Sequence, residues 1–127
     1  MASFEAQAML RVAWRDLRTA RLLSVDEADE SSWGFHIQQA IEKAFKAWIL
    51  SLDLRPPFTH DIAELLQILR QQGVDISPYL QLSRFTLFAV QFRYDDEIEP
   101  LDLNRQIWLE TAQSLLDEVS SFMGRQA

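Results

Sequence analysis

The chain has 127 residues, a net charge of −7, 48% apolar residues and no cysteine. This length and apolar content predict one folded domain spanning residues 1–127. The absence of cysteine excludes disulfides and zinc–thiolate sites. The acidic balance disfavours RNA, because general nucleic-acid binding needs a cationic surface. No apolar stretch approaches the roughly 18 residues that span a bilayer and no signal peptide is visible, so a cytoplasmic protein without a membrane partner is expected.

The first half of the chain predicts two long helices joined by an acidic connection. The first should extend from about residue 3 to residue 24, and the second from about residue 31 to residue 52. The acidic segment 26–30 between them is typical of a solvated loop. Each helix carries apolar residues at near-helical spacing, which are Leu10, Trp14, Leu17 and Leu22 in the first and Ile37, Ile41, Ala44 and Trp48 in the second.

Three further helices are predicted in the second half, where proline and glycine mark the ends. Pro56 and Pro57 end the second helix, and Thr59 is the predicted N-cap of a third helix that stops at Gly73. Residues 77 and 78, Ser-Pro, predict an N-cap and first turn of a fourth helix that reaches about residue 92. A fifth helix should start near residue 102. The predicted inward residues are Ile62, Leu65, Leu66 and Leu69, then Phe85, Phe88 and Phe92, then Trp108, Leu115, Val119 and Phe122.

Polar residues line one side of the predicted second helix beside its apolar face. His36, Gln39, Lys43 and Lys46 follow one another at helical spacing, and Glu42 can pair with Lys46 four residues on. One interpretation is a nucleotide-binding groove, with lysines for phosphates and the amide and imidazole for base or sugar. The other is an ordinary solvated helix face. In the groove the two ammonium groups would lie near one another, and an anion would relieve their repulsion.

Three other residues carry chemistry that suits a nucleotide. His60 follows the two prolines, at the expected start of the third helix, and imidazole can act as a base or a ligand. Arg93 and Tyr94 end the predicted fourth helix, where the arginine fork suits phosphate and the tyrosine can stack. Arg93 can instead pair with the acidic run 95–102. The sequence contains no glycine-rich phosphate loop and no spacing that indicates a metal site.

The order of these segments resembles the HEPN family. The string FHIQQAIEKAFKA at 35–47 is similar to the family's signature second helix, in which a Gln-Ala-x-Glu-Lys-x-x-Lys run recurs. The resemblance extends to Asp16-Leu17 and Ala20 in the first helix, to Thr59-His60-Asp61-Ile62 with Leu65-Leu66, and to Arg93-Tyr94. It implies an all-α, up-and-down bundle of four long helices plus a short additional helix, commonly dimeric. Independently of the resemblance, a helical bundle with this many aromatic residues should leave some apolar surface for a partner, and Trp33, Trp108 and Phe122 are the candidates.

The resemblance also implies a function. Family members are often encoded beside minimal nucleotidyltransferases, and many act as RNases in toxin–antitoxin or defence systems. The nucleases carry an arginine, then four to six intervening residues, then a histidine, near the end of the penultimate long helix. Here Ile98, Glu99 and Pro100 stand where that histidine should follow Arg93, and the only string match, Arg55 to His60, spans the Pro-Pro junction.

The sequence therefore favours a non-nucleolytic member of this family. We expect it to bind a nucleotide such as ATP, a minimal nucleotidyltransferase partner, or both, as a homodimer with no other cofactor. An RNase toxin with an atypical site around Arg93, Tyr94 and His60 is the first alternative. A helical module that only docks a protein is the second.

Overall fold

The computed structural model describes residues 3–94 and 101–126, with side chains at all of these positions except 91–94. It contains five α-helices: α1 (Phe4–Leu22), α2 (Glu30–Ser51), α3 (Ile62–Gln71), α4 (Leu87–Tyr94) and α5 (Arg105–Arg125). A 3₁₀ helix, Ser77–Thr86, leads directly into α4. The described residues form no strand, so the predicted all-α fold is confirmed. Over the same residues, no helix combines the length and the apolar character that crossing a membrane requires.

The second helix, α2, is the centre of the bundle. It contacts α1, α3, α4, α5 and the 3₁₀ helix, and the predicted apolar face of Ile37, Ile41, Ala44 and Trp48 is buried as expected. Because α2 is covered on several sides, its burial also extends to three polar side chains, Gln38, Glu42 and Ser51. The Ser51 hydroxyl donates to the Trp48 carbonyl within the same helix. Buried polar groups require hydrogen-bond partners, and those of Gln38 and Glu42 define the candidate site.

Four of the helix starts carry side-chain N-caps, although not all the predicted ones. Ser3, Asp29, Asp61 and Asn104 each accept a hydrogen bond from a backbone N–H in the first turn. The prediction that Thr59 caps α3 is wrong: Asp61 is the cap, and the Thr59 hydroxyl instead accepts from the Asp61 N–H. The predicted stop at Gly73 is confirmed by its φ of 87°, which glycine adopts without strain.

The predicted fourth helix starts at the expected place but in a different form. Its first ten residues form a 3₁₀ helix with no side-chain cap, so the prediction of Ser77 as N-cap is wrong. Leu82, Phe85 and Phe88 are buried at a spacing of three residues. Three residues per turn align Leu82 and Phe85 on one side of a 3₁₀ helix. Phe92 and the acidic run 95–99 lie outside the described side chains.

The core of α1 is built from smaller residues than predicted. Leu10 and Leu17 are buried as expected, but Leu22 at the end of the helix is 78% exposed and Trp14 is only half-buried. Small residues share the buried stripe, and these are Ala6, Ala13 and Ala20. Alanine allows two helix backbones to approach closely, which accounts for the extensive contact between α1 and α2. The buried side of α1 therefore consists of alanine and leucine, and the larger Trp14 lies at its margin.

The aromatic residues expected at a partner surface mostly pack inside the domain itself. Trp33 is fully buried, so its predicted place in a dimer contact is wrong. Its ring packs edge-on against Phe85, with ring centroids 5.8 Å apart. Trp108 and Phe122 are half-buried and pack against the core. In α5, Leu115 and Val119 are buried as predicted.

Candidate functional site

The polar residues of α2 meet two carboxylates, and each carboxylate organises a separate cluster. The Asp16 cluster lies between α1 and α2. The Lys43 Nζ donates to Asp16 Oδ2 at 2.7 Å. His36 Nδ1 is 3.8 Å from Asp16 Oδ1, within reach of an ion pair but too far for a hydrogen bond. That nitrogen is buried and has no hydrogen-bond partner among the described residues.

The Glu42 cluster joins α2 to the segment that precedes α3. The Glu42 carboxylate is almost fully buried, and Oε2 accepts from Lys46 Nζ at 2.9 Å. Its other oxygen, Oε1, accepts from Gln38 Nε2 at 2.8 Å and lies 2.8 Å from His60 Nδ1. The His60 side chain is 54% exposed. The cluster therefore consists of a buried carboxylate and an imidazole that is about half exposed to solvent.

The hydrogen bonds around Glu42 fix the role of each nitrogen in His60. Burial alone raises the pKa of Glu42, but the hydrogen bonds from His60, Lys46 and Gln38 outweigh burial and hold that pKa below its ordinary value. An ionised carboxylate only accepts hydrogen bonds, so Nδ1 of His60 carries the proton that faces Glu42. In the neutral ring Nε2 then presents a lone pair on the exposed edge.

A glutamine connects the predicted polar side of α2 to the Glu42 cluster. The Gln39 Nε2 donates to Gln38 Oε1 at 2.7 Å, and Gln38 in turn donates to Glu42. The chain has only two lysines and two histidines, and all four belong to the two clusters. The structure therefore divides five of the predicted site residues between the two clusters: His36 and Lys43 lie with Asp16, and Gln39, Lys46 and His60 lie with Glu42.

Two features of this arrangement differ from the picture of one continuous groove. Each lysine has its own carboxylate, so the predicted repulsion between the two ammonium groups does not need an added anion to relieve it. The predicted pair of Glu42 and Lys46 is confirmed. Sequence reasoning missed Asp16 and Gln38 as members of the site. The spacing of four between Gln38 and Glu42 was a usable signal, whereas nothing local linked Asp16 to Lys43.

The remaining predicted residues are not part of these clusters as described. Arg93 and Tyr94 lie in the last turn of α4, and their side chains are outside the described residues. The Arg55 guanidinium pairs with Glu5 at the start of α1, whereas His60 faces Glu42. Arg55 and His60 therefore contact different carboxylates, and the sequence match between them does not form an arginine–histidine site.

The bundle of five helices around the central α2 agrees with the comparison with known families. The family model described as HEPN domain matches residues 6–124, nearly the whole chain. The chain therefore belongs to the HEPN family, and the resemblance stated from its segments is confirmed. No curated protein and no solved structure shows significant similarity to this chain.

Proposed function

We propose that this HEPN domain binds a nucleotide across the Asp16 and Glu42 clusters and does not cleave RNA. It also forms a homodimer, and that homodimer binds a partner protein such as a minimal nucleotidyltransferase. A toxin–antitoxin or defence setting would fit such a pair. The observation that carries the proposal is that every lysine and histidine of a net acidic chain lies in one of two carboxylate-centred clusters built on α2. A solvated helix face does not require that convergence.

The chemistry of the two clusters suits a phosphate and a ribose. An ammonium group has three donors, and each lysine uses one of them on its carboxylate, which leaves donors for phosphate oxygens. The Nε2 lone pair of His60 can accept from a sugar hydroxyl while His60 is neutral, and protonation would turn it into a phosphate donor. The carboxylates keep the cations in place before the ligand arrives, which reduces the ordering cost of binding.

The first prediction tests the nucleotide. Calorimetric titration of ATP and GTP into the wild type should show binding, and His60→Ala and Lys43→Ala should each weaken it about tenfold or more. A charge-assisted hydrogen bond contributes about 1.5–3 kcal/mol, and about 1.4 kcal/mol corresponds to one decade in affinity. Both side chains are partly exposed, and urea unfolding of each variant separates a loss of affinity from a loss of stability.

Arg70→Ala is the matched control, because Arg70 is an exposed cation in the last turn of α3. It removes the same charge from a different surface and should leave the affinity unchanged. Absence of heat for the wild type at millimolar nucleotide would contradict the proposal, and the polar side of α2 would then be a docking or solvated face.

The second prediction concerns the RNase alternative. The observation that favours the alternative is the Glu42–His60 pair, since a carboxylate that orients an imidazole is a common arrangement for a general base. We nevertheless expect no cleavage when the protein is incubated with a mixed RNA pool, with or without divalent cations. Arg55 is held by Glu5, and the net charge of −7 opposes RNA binding. Cleavage that disappears in His60→Ala would establish the alternative instead.

The third prediction concerns the homodimer. Phe4 and Phe58 are almost completely exposed, and the ion pair of Glu5 with Arg55 joins the two segments that carry them. Exposed aromatic pairs of this kind are typical of protein contacts. Light scattering should report a dimer at tens of micromolar, and Phe58→Ser should shift it towards monomer. A monomeric wild type at that concentration would contradict the dimer.

A further inference from the structure

One end of the bundle, where α1 ends and α2 and α5 begin, has a distinct surface. We call it the acidic end and define it as residues 21–30 and 101–107. Four hydrogen bonds hold its two segments together. Arg105 donates from Nη1 to the carbonyl oxygens of Leu23 and Val25, at 2.9 and 2.6 Å. The Glu30 carboxylate accepts from the backbone N–H groups of Leu101 and Leu103, at 2.6 and 3.0 Å. The acidic end is therefore a fixed surface.

Large apolar side chains project into solvent from these fixed segments. Each of the four is about half exposed or more, and they are Leu22, Val25, Leu101 and Ile107. Neither segment can withdraw them into the core without breaking the hydrogen bonds of Arg105 or Glu30. Fixed, exposed apolar residues gathered at one end of a small domain mark an interaction surface more often than scattered single ones do.

The same two segments that carry these apolar residues are rich in carboxylates. The acidic end contains five carboxylates and two arginines. Both arginines are occupied, since Arg105 holds two carbonyl groups and Arg21 donates to Gln113 at 2.7 Å. Asp26 and Glu27 occupy the centre of an exposed turn closed by the Ala28 N–H and the Val25 carbonyl. No hydrogen bond or ion pair within the described part of the chain engages either carboxylate.

We infer that the acidic end docks a basic, amphipathic segment of a partner protein. The apolar residues would bury the hydrophobic side of that segment, and the free carboxylates would meet its lysines or arginines. A second copy of this chain is a poor occupant, because a two-fold contact places the same surface against itself and would bring the carboxylates of Asp26 and Glu27 towards their equivalents. The acidic end would be the docking site for the partner protein of the proposed function, and this docking does not depend on nucleotide binding.

The test uses a fluorescein-labelled amphipathic peptide of leucine and lysine, followed by fluorescence anisotropy at about 150 mM salt, where long-range attraction is screened. The wild type should bind it and should not bind the equivalent peptide of leucine and glutamate. Val25→Ser and Ile107→Ser should each weaken binding about tenfold. The double variant Asp26→Asn, Glu27→Gln should weaken it about fivefold and reduce its salt dependence.

The controls separate this surface from the general attraction of an acidic protein for a basic peptide. Leu80→Ser removes an apolar residue of similar exposure from the 3₁₀ helix. The double variant Glu64→Gln, Asp117→Asn removes the same charge from α3 and α5. Both should bind the peptide like the wild type.

Equal losses in the test and control variants, or no binding by the wild type, would overturn the inference. A change of oligomeric state in Val25→Ser would identify a second copy as the occupant and overturn it as well. Because the peptide and ATP are titrated separately, failure of the acidic end and failure of the nucleotide proposal are distinguishable.

Discussion

Gly34→Ala should destabilise the domain by about 2 kcal/mol in urea unfolding, because the added methyl group has no space. A Cβ atom at Gly34 of α2 would lie 2.5–2.6 Å from three ring atoms of Phe88. The Phe88 ring is buried and packs against Phe85, with ring centroids 5.7 Å apart, so it cannot move aside freely. Overpacking of this kind costs about 1–3 kcal/mol, more than the helix propensity that alanine gains over glycine.

The same substitution at Gly124 is the matched control. Gly124 lies near the end of α5, and a Cβ atom there would meet nothing within 4 Å. Gly124→Ala should therefore be neutral or stabilise by up to about 1 kcal/mol. Combining Gly34→Ala with Phe88→Leu should recover part of the loss, because it removes the ring that clashes. Equal stability of Gly34→Ala and the wild type would show that α2 and α4 can separate at no cost.

Glu42→Ala should cost about 3 kcal/mol, the largest loss expected for any polar substitution in the chain. It removes the acceptor for three groups at once, and two of them, Gln38 and Lys46, are buried or nearly so. Breaking a buried ion pair from one side costs about 3–5 kcal/mol, since the remaining charge is left without a partner. Glu42→Gln keeps the shape and one acceptor, so it should lose less. Glu64→Ala, on the exposed surface of α3, should stay within about 0.5 kcal/mol of the wild type.

Lowering the pH should remove the difference in free energy of unfolding between the wild type and Glu42→Gln. The pKa of Glu42 is lower in the folded chain than its ordinary value of 4.5, so the ionised carboxylate stabilises the fold at pH values above 4.5. This stabilisation is lost as the pH falls through the folded pKa. Urea unfolding of wild type and Glu42→Gln from neutral pH downwards should give curves that converge below about pH 4.5. A constant difference would mean that the Glu42 charge does not contribute.

The sequence predicted most of what depends on local spacing and missed what depends on tertiary contact. The apolar face of α2 and the stop at Gly73 follow from periodicity and backbone preference, and both are confirmed. The burial of Trp33 depends on where the 3₁₀ helix lies, which no local pattern gives. The partnership of Asp16 with Lys43 likewise joins two helices across 27 residues. The five clustered site residues were therefore found by residue type and spacing, as was the pair of Glu42 with Lys46, but the partnership of Asp16 with Lys43 was not.

The 3₁₀ helix also determines where α4 lies along the bundle and which side of it faces α2. A 3₁₀ helix rises about 2.0 Å and turns about 120° per residue, against about 1.5 Å and 100° in an α-helix. Over the ten residues Ser77–Thr86, rewinding to an α-helix would draw α4 back by about 5 Å and rotate it by about 200°. The ring of Phe88 would then leave the space opposite Gly34, and the end of α4 would face a different side of the bundle. The ten-residue 3₁₀ segment thus determines both the position of α4 along the bundle and the direction in which its residues face.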